Sequence, residues 1–462
     1  MFIGINERLT FMRFWKIAII IIVVLCFVSC SVGFTEKTAG NNPETVTKIS
    51  FDGSKVFVEG KRVGWSKKNV VYIAKDIVYY ETGKDFTYGE GSENDAHTKE
   101  EARSHTVVHI TQPGIYELSG KLSKGQVSVD LGEEAKNNPD AVVTLILNNV
   151  EVTCDIAPAI IFYNVYECNK NTEENTSPDV NTESAGANIV IADNTLNTIT
   201  GSYVAYIFNP DTLVMNEDHS SISAGEKLHD YDATIQSKMS MNINAEENGS
   251  GVLNVNAKNE GIESNCHLTI NGGNINIVSG DDGINANLDA ISALTINGGN
   301  INVFVSGEEG DTTDSNGWTV INGGNLIGVS SSNIEDCCMD SYLDILINGG
   351  SVITSGNMRD YIQDGRQNYV VFEFSKMQNK DSKFILKNDD GEIVFETNII
   401  NEYQILTYSS PELREGTYTL WCGEKQQMGQ RLGGRNWNDV IEDVPSKEFV
   451  IKNGANLFGN VV

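Results

Sequence analysis

Three short acidic motifs recur in the second half of this 462-residue chain. They read Glu260-Gly-Ile-Glu263-Ser-Asn265, Asp282-Gly-Ile-Asn285-Ala-Asn287 and Asp311-Thr-Thr-Asp314-Ser-Asn316, and a degenerate fourth contains Asp336, Asp340 and Tyr342. In each of the first three, two oxygen-bearing side chains stand three residues apart. If the copies lie one above another, they form two columns: Glu260, Asp282, Asp311 and Asp336 in one, Glu263, Asn285, Asp314 and Asp340 in the other. At a strand spacing of about 4.8 Å, two carboxylates repel by roughly 3.5 kcal/mol at an effective dielectric of 20 and by about 0.9 kcal/mol in water. Few basic residues interleave; Lys258, Arg359 and Arg366 are the ones close in sequence. A divalent cation would neutralise such columns. Calcium–oxygen distances of about 2.3–2.6 Å let one ion bridge two stacked oxygens, and loosely arranged oxygens suit calcium better than magnesium. An all-oxygen ligand set is a poor match to zinc or copper. The competing reading is a row of splayed, solvated acids that only keeps the protein soluble.

The elements that must position these residues are set by a repeat. "LTINGGNINIVSG" (268–280), "LTINGGNINVFVSG" (294–307), "TVINGGNLIGVS" (319–330) and "LINGGSVITSG" (346–356) are copies of one unit. Their Asn-Gly-Gly triplets begin at Asn271, Asn297, Asn322 and Asn348, in steps of 26, 25 and 26 residues. Inside each unit apolar and polar residues alternate, which marks strands, and no 3.6-residue stripe is present. Three short strands and three turns fit this period; four-stranded propeller blades need about 40 residues or more. The expected fold is all-β: a right-handed parallel β-helix over 105–368, with inward side chains stacked coil on coil. The Gly-Gly pairs are expected at corners of positive φ, and the asparagines in stacked side-chain ladders. Residues 51–104 are expected to form an N-terminal β-rich cap with an insertion after Gly64, and alternating strands over 369–462 a small C-terminal β-sandwich-like domain. An open end of such a solenoid exposes strand edges and needs covering.

The charge balance, 33 basic against 63 acidic residues, repels phosphate backbones and excludes a general nucleic-acid binder. Arg13 and Lys16 precede a 12-residue apolar run, Ile17 to Val28, too short for a comfortable membrane span and matching a signal-peptide core. The run ends Phe27-Val28-Ser29-Cys30, similar to a lipobox, which predicts a lipoprotein signal peptide over 1–29, diacylglyceryl attachment at Cys30 and a membrane-anchored, exported protein. Two acyl chains give stable anchoring where one does not. Residues 30–50 read as a polar linker. Plain secretion is the alternative. Cys154, Cys168, Cys266, Cys337, Cys338 and Cys422 lack the paired spacing of a zinc site, and their spacing assigns no disulfide. His105 and His109 lie in a stretch that reads as strand, about 13 Å apart, and are not expected to chelate one ion.

With these residues in view, the chain resembles a bacterial family of exported right-handed β-helices, the carbohydrate-binding domain-containing proteins. "GIYELSGKLSKGQVSVDLG" (114–132), "VTLILNNVEVTCDIAPAI" (143–160), "NIVIADNTLNTITGSY" (188–203) and "ATIQSKMSMNINAEENGSGVLNVNA" (233–257) look like its early coils. "IVFETNIINEYQILTYSSPELREGTYTLWCGE" (393–424) is similar to its C-terminal cap. The resemblance implies a calcium-bearing, pectate-lyase-like architecture that binds acidic or cellulosic polysaccharides, with the metal on the acidic positions named above. The chain departs from the pattern at Thr312-Thr313 and at Cys337-Cys338-Met339. Surface-anchored, calcium-dependent glycan binding is the leading expectation, with Trp318 and Tyr342 as candidate sugar-stacking residues. A polysaccharide lyase, in which a lysine or arginine removes the proton α to a uronate, is the first alternative, and a structural surface protein or adhesin the second.

Overall fold

A computed structural model describes residues 45–307, 310–330, 337–363, 367–423 and 447–459. The export segment with Cys30, Asp336 and Arg366 lie outside the described residues. The protein is all-β: among the described residues one short α-helix, Lys99–Ser104, and one 3-10 turn, Glu133–Asn137, accompany the strands. No described helix is long and apolar enough to cross a membrane.

Most strands belong to three parallel ladders, in which each copy of the repeat adds one strand to each. The first runs Ala187–Ile191, Met241–Ala245, Leu268–Ile270, Ala293–Ile296, Trp318–Ile321, Asp344–Ile347 and Ile362–Gln363. The second runs Leu196–Gly201, Val252–Ala257, Asn274–Ser279, Asn300–Val305, Asn325–Val329 and Ser351–Gly356. Both start on the long strands Gly114–Leu122 and Val143–Thr153. The third runs Thr106–Ile110, Gly125–Val129, Ile160–Phe162, Ala233–Ser237, Glu260–Ser264, Ile284–Ala286 and Thr313–Ser315. Inward residues pair with their counterparts: Val127, Ile160, Ile235, Ile262 and Ile284 stack in register and are fully buried. Such columns make the core continuous from coil to coil, so neighbouring coils stabilise one another.

The Asn-Gly-Gly corners carry two distinct constraints. The second glycine of each triplet, Gly273, Gly299, Gly324 or Gly350, has φ between +80° and +108°, where an L side chain is strained. The first is fixed by close approach: a Cβ on Gly323 or Gly349 would lie 2.6 or 2.4 Å from the Asn297 or Asn322 carbonyl oxygen of the coil beneath. The asparagines form the ladder expected of them, each Nδ2 donating to the Oδ1 below: Asn271 to Asn244, Asn297 to Asn271, Asn322 to Asn297 and Asn348 to Asn322, at 2.8–2.9 Å.

Both ends are closed by added strands, most of them antiparallel. Val71–Ala74 covers the open edge of Thr106–Ile110, and Thr47–Gly53, which begins inside the stretch read as linker, pairs with Gly114–Leu122 and folds back on Lys55–Val58. At the other end Tyr403–Ser409 caps Ser351–Gly356. It continues into Tyr369–Gln378 and Ala455–Gly459. A separate four-stranded sheet shares with these strands a second core built on Phe372, Phe374, Phe384, Tyr403, Leu406 and Leu420.

Candidate functional site

The outward positions of the third ladder form one column. His109, Ser128, Ile161, Gln236, Glu263, Asn285 and Asp314 are paired neighbour to neighbour. From Gln236 onward every position of the column carries a side-chain oxygen. Asp340 follows on the next coil, where its amide donates to the Thr313 carbonyl at 2.8 Å and Met339 bridges Thr313. Glu260, Asp282 and Asp311 lie beside this column: the Gly261 amide donates to the Asp282 carbonyl, the Gly283 amide to the Asp311 carbonyl, and the Asp311 amide to Asp282 Oδ1, each at 2.8 Å.

Glu260, Glu263 and Asn285 face outward yet are buried, whereas Asp282, Asp311, Asp314 and Asp340 are half-buried. Glu260 is 7% and Glu263 1% exposed. The hairpin of Val204–Phe208 with Lys227–Tyr231 brings Lys227, Asp230 and Asp232 into the electrostatic field of Glu263. The segment after Gly64 packs on that hairpin, through Gly89 against Ile207 and Tyr203 against Asp95. Sequence proximity had singled out Lys258 as the nearest cation; its Nζ instead sits 5.0 Å above the Tyr203 ring and reaches the Asn94 carbonyl at 3.5 Å. Lys227 and Lys238 interact electrostatically with Glu263, and Lys227 Nζ donates to Asp230 Oδ2 at 2.7 Å.

Burial is the main reason these carboxyls resist ionisation. It raises Glu260 and Asp282 well above the usual carboxylate range, helped by Glu263 and Asp282 around Glu260 and by Asp314 and Asp281 around Asp282. It raises Glu263, against which hydrogen bonds from Gln236 and Asn287 pull downward. Asp314 is pushed up to about 6 by burial and then by Asp340, and Asp232 to about 8 by burial and then by Asp230. Asp340 rises through burial and Asp360.

Donors inside the site are few. Asn285 Nδ2 donates to Glu260 Oε1 at 3.2 Å, and Asn287 Nδ2 to Glu263 Oε1 at 3.2 Å. Glu260 Oε2, Glu263 Oε2 and Asn285 Oδ1 are buried acceptors with no hydrogen-bond partner. Native proteins pair nearly all such atoms, so these three call for a cation or an ordered donor. One coil further on, Asp311, Asp314 and Asp340 each offer an oxygen within 4.8 Å of the others. The donor set is entirely oxygen, which fits a hard divalent ion and not zinc or copper.

Asp360, which sequence reasoning missed, faces Asp340 and accepts from the Ser341 amide at 3.2 Å. No Asn-Gly-Gly triplet follows it in the sequence, so its place on the coil could not be counted. Trp318 is half-buried and its Nε1 donates to Thr176 Oγ1 at 3.2 Å, so its indole edge is taken up by a loop. Tyr342 is 73% exposed, one coil from Tyr361 at 61%. His105 and His109 have separate partners: His105 bonds to the Glu101 carbonyl and Asp155, His109 to Asp76. At the departure Thr312-Thr313, Thr313 takes the inward position of Ile284. The six cysteines of the described residues are thiols.

The sequence profile of the carbohydrate-binding domain-containing proteins matches residues 104–383, more than half of the chain. The chain belongs to that family, and the family supports a polysaccharide as its partner. A solved structure described as the polysaccharide lyase-like protein from C. thermocellum, a gadolinium derivative, is similar at 21% identity and a TM-score of 0.43, covering 70% of this chain and 95% of that one. No curated protein matches the chain.

Proposed function

We propose that this is an exported polysaccharide-binding protein whose third ladder holds calcium and uses it to recognise anionic glycans. The three parallel ladders are read as the faces of a right-handed parallel β-helix. Two sets of residues would hold the ion: Glu260, Glu263 and Asn285 with Asp282 nearby, and Asp311, Asp314 and Asp340. The observation that carries the reading is the group of buried acceptors Glu260 Oε2, Glu263 Oε2 and Asn285 Oδ1, three oxygens on two adjacent coils that have no hydrogen-bond partner. Bound calcium supplies positive charge that offsets the packed carboxylates and offers remaining coordination positions to a uronate. The chain's own residues fix the oxygens on a rigid ladder and shield them from water. Tyr342, exposed beside Asp340, suits stacking on a sugar ring. Residues 1–29 and Cys30 would supply export and the lipid anchor.

Binding to polygalacturonate, measured with calcium and again after chelation, tests this reading. Calcium-dependent retention is expected, with no build-up of ultraviolet-absorbing unsaturated uronate. Retention that ignores chelation would remove the metal from the account. Sustained product formation, lost in Lys258→Ala or Arg359→Ala, would make the protein a lyase.

A further inference from the structure

The first ladder carries a second cleft, remote in sequence from the acidic motifs. The connection between Phe162 and Ala187 crosses the outward face of this ladder and is pinned to it at several coils. Thr182 Oγ1 donates to Thr269 Oγ1 at 2.7 Å, Asn242 Nδ2 to the Thr182 carbonyl at 2.8 Å, and Trp318 Nε1 to Thr176 Oγ1 at 3.2 Å. Between loop and ladder lies a cavity of about 310 Å³. That is the lower end of the range for small-molecule sites, roughly 300–1,000 Å³.

Its walls are mainly polar, with Pro178 and Val180 the apolar members. The floor is Asn242, Thr269 and Thr295, and one side is the asparagine corner at Asn271, Asn297 and Asn322. Each corner asparagine spends one N–H and one lone pair within the ladder. A carboxamide has two of each, so every coil presents one donor and one acceptor outward, repeated at about the 4.8 Å strand spacing. Asn242, only 4% exposed, donates through Nδ2 to the Thr182 carbonyl and to Asn188 Oδ1 and leaves its own Oδ1 without a partner. The loop adds the carboxylates of Asp179 and Glu183, and no Lys, Arg or His is among the described lining residues.

We propose that this cleft is a metal-independent subsite for a neutral, hydroxyl-rich saccharide. Hydroxyl groups donate and accept at once, as the alternating amide array requires, and neighbouring hydroxyls donate well to a carboxylate. Uronates and phosphates are turned away by Asp179 and Glu183. The proposal rests on the family's carbohydrate binding and is independent of calcium at the acidic columns. Trp318 is a positioning residue here, holding the loop through Thr176.

Calorimetric titration of the full chain in excess chelator with short neutral oligosaccharides of the cello, xylo and manno series tests it. At least one series is expected to bind. The double variant D179A/E183A, altered only on the exposed loop, is expected to lose tenfold or more in affinity with an unchanged Tm. The same variant should keep calcium-dependent binding of polygalacturonate, so failure of either site is read separately. The proposal is overturned if the chelated wild type binds none of the three series, or if the double variant binds them as tightly as wild type.

Discussion

Replacing Asp314 by asparagine should change the sign of its effect with calcium. The carboxyl is pushed from 3.8 up to about 6, first by burial and then by Asp340. At pH 7.5 the calcium-free protein therefore keeps this group ionised at a cost of about 3 kcal/mol, at 1.36 kcal/mol per pH unit. Asparagine removes the charge, and its Oδ1 can still accept from the Ser315 amide that bonds the native side chain. The stripped variant should melt about 3 °C above the stripped wild type, since at about 2.1 cal/mol/K per residue about 1 kcal/mol corresponds to roughly 1 °C for some 400 residues unfolding together. With calcium the variant has lost a ligand oxygen. A tenfold weaker site gives up about 1.4 kcal/mol of calcium-linked stability at saturating ion, so its calcium-induced rise in Tm should be smaller. Differential scanning calorimetry of both proteins, with chelator and with millimolar calcium, reads the two effects. Below about pH 3 the advantage of the stripped variant should vanish, because the aspartic acid is then neutral in both the folded and unfolded states. A variant less stable than wild type in chelator, or one with an undiminished calcium response, would refute the reasoning.

The stripped wild type should lose stability as pH rises from about 4 to about 8. Asp314 and Asp232, raised to about 6 and about 8, hold their protons more tightly folded than unfolded, so their contribution is greatest below 3.8 and disappears through those values. Asp95 and Asp155, which are lowered, act in the opposite sense but only as pH falls beneath 3.8, and calcium should flatten or invert the slope; urea denaturation at stepped pH checks both. Asn297→Ala breaks one ladder bond to Asn271 and one from Asn322 and should cost about 1–2 kcal/mol in the same assay. Tyr342→Ala, at a 73% exposed position, should leave stability within about 0.5 kcal/mol while lowering polygalacturonate affinity several-fold, whereas Trp318→Phe should cost about 1 kcal/mol through the lost Thr176 bond.

The ladders, the glycine corners and the alignment of Glu263, Asn285 and Asp314 were legible because each coil repeats the one before, so counting from a triplet is counting in space. What repetition does not encode was not legible. The hairpin that brings Lys227, Asp230 and Asp232 near Glu263, and the segment after Gly64 that packs on it, both lie outside the repeat, so the role of Lys227 could not be counted out. The Thr312 departure is a volume exchange between two ladders. In earlier coils a glycine in the third-ladder turn faces a bulky second-ladder residue, and a Cβ on Gly261 or Gly283 would strike Ile277 or Val303. In the next coil the bulk sits at Thr312 and the gap at Gly328, where a Cβ would lie 2.6 Å from Thr312 Oγ1. Trp318 reads as an exposed platform in its own coil because its partner, Thr176, is 142 residues away.

The most direct test is a crystal structure grown with calcium and an oligogalacturonide. Ions are expected among Asp311, Asp314 and Asp340 and at the Glu260, Glu263 and Asn285 oxygens, at about 2.3–2.6 Å, with a sugar carboxylate completing at least one shell. Ordered density with calcium present and no ion at either set would contradict the account.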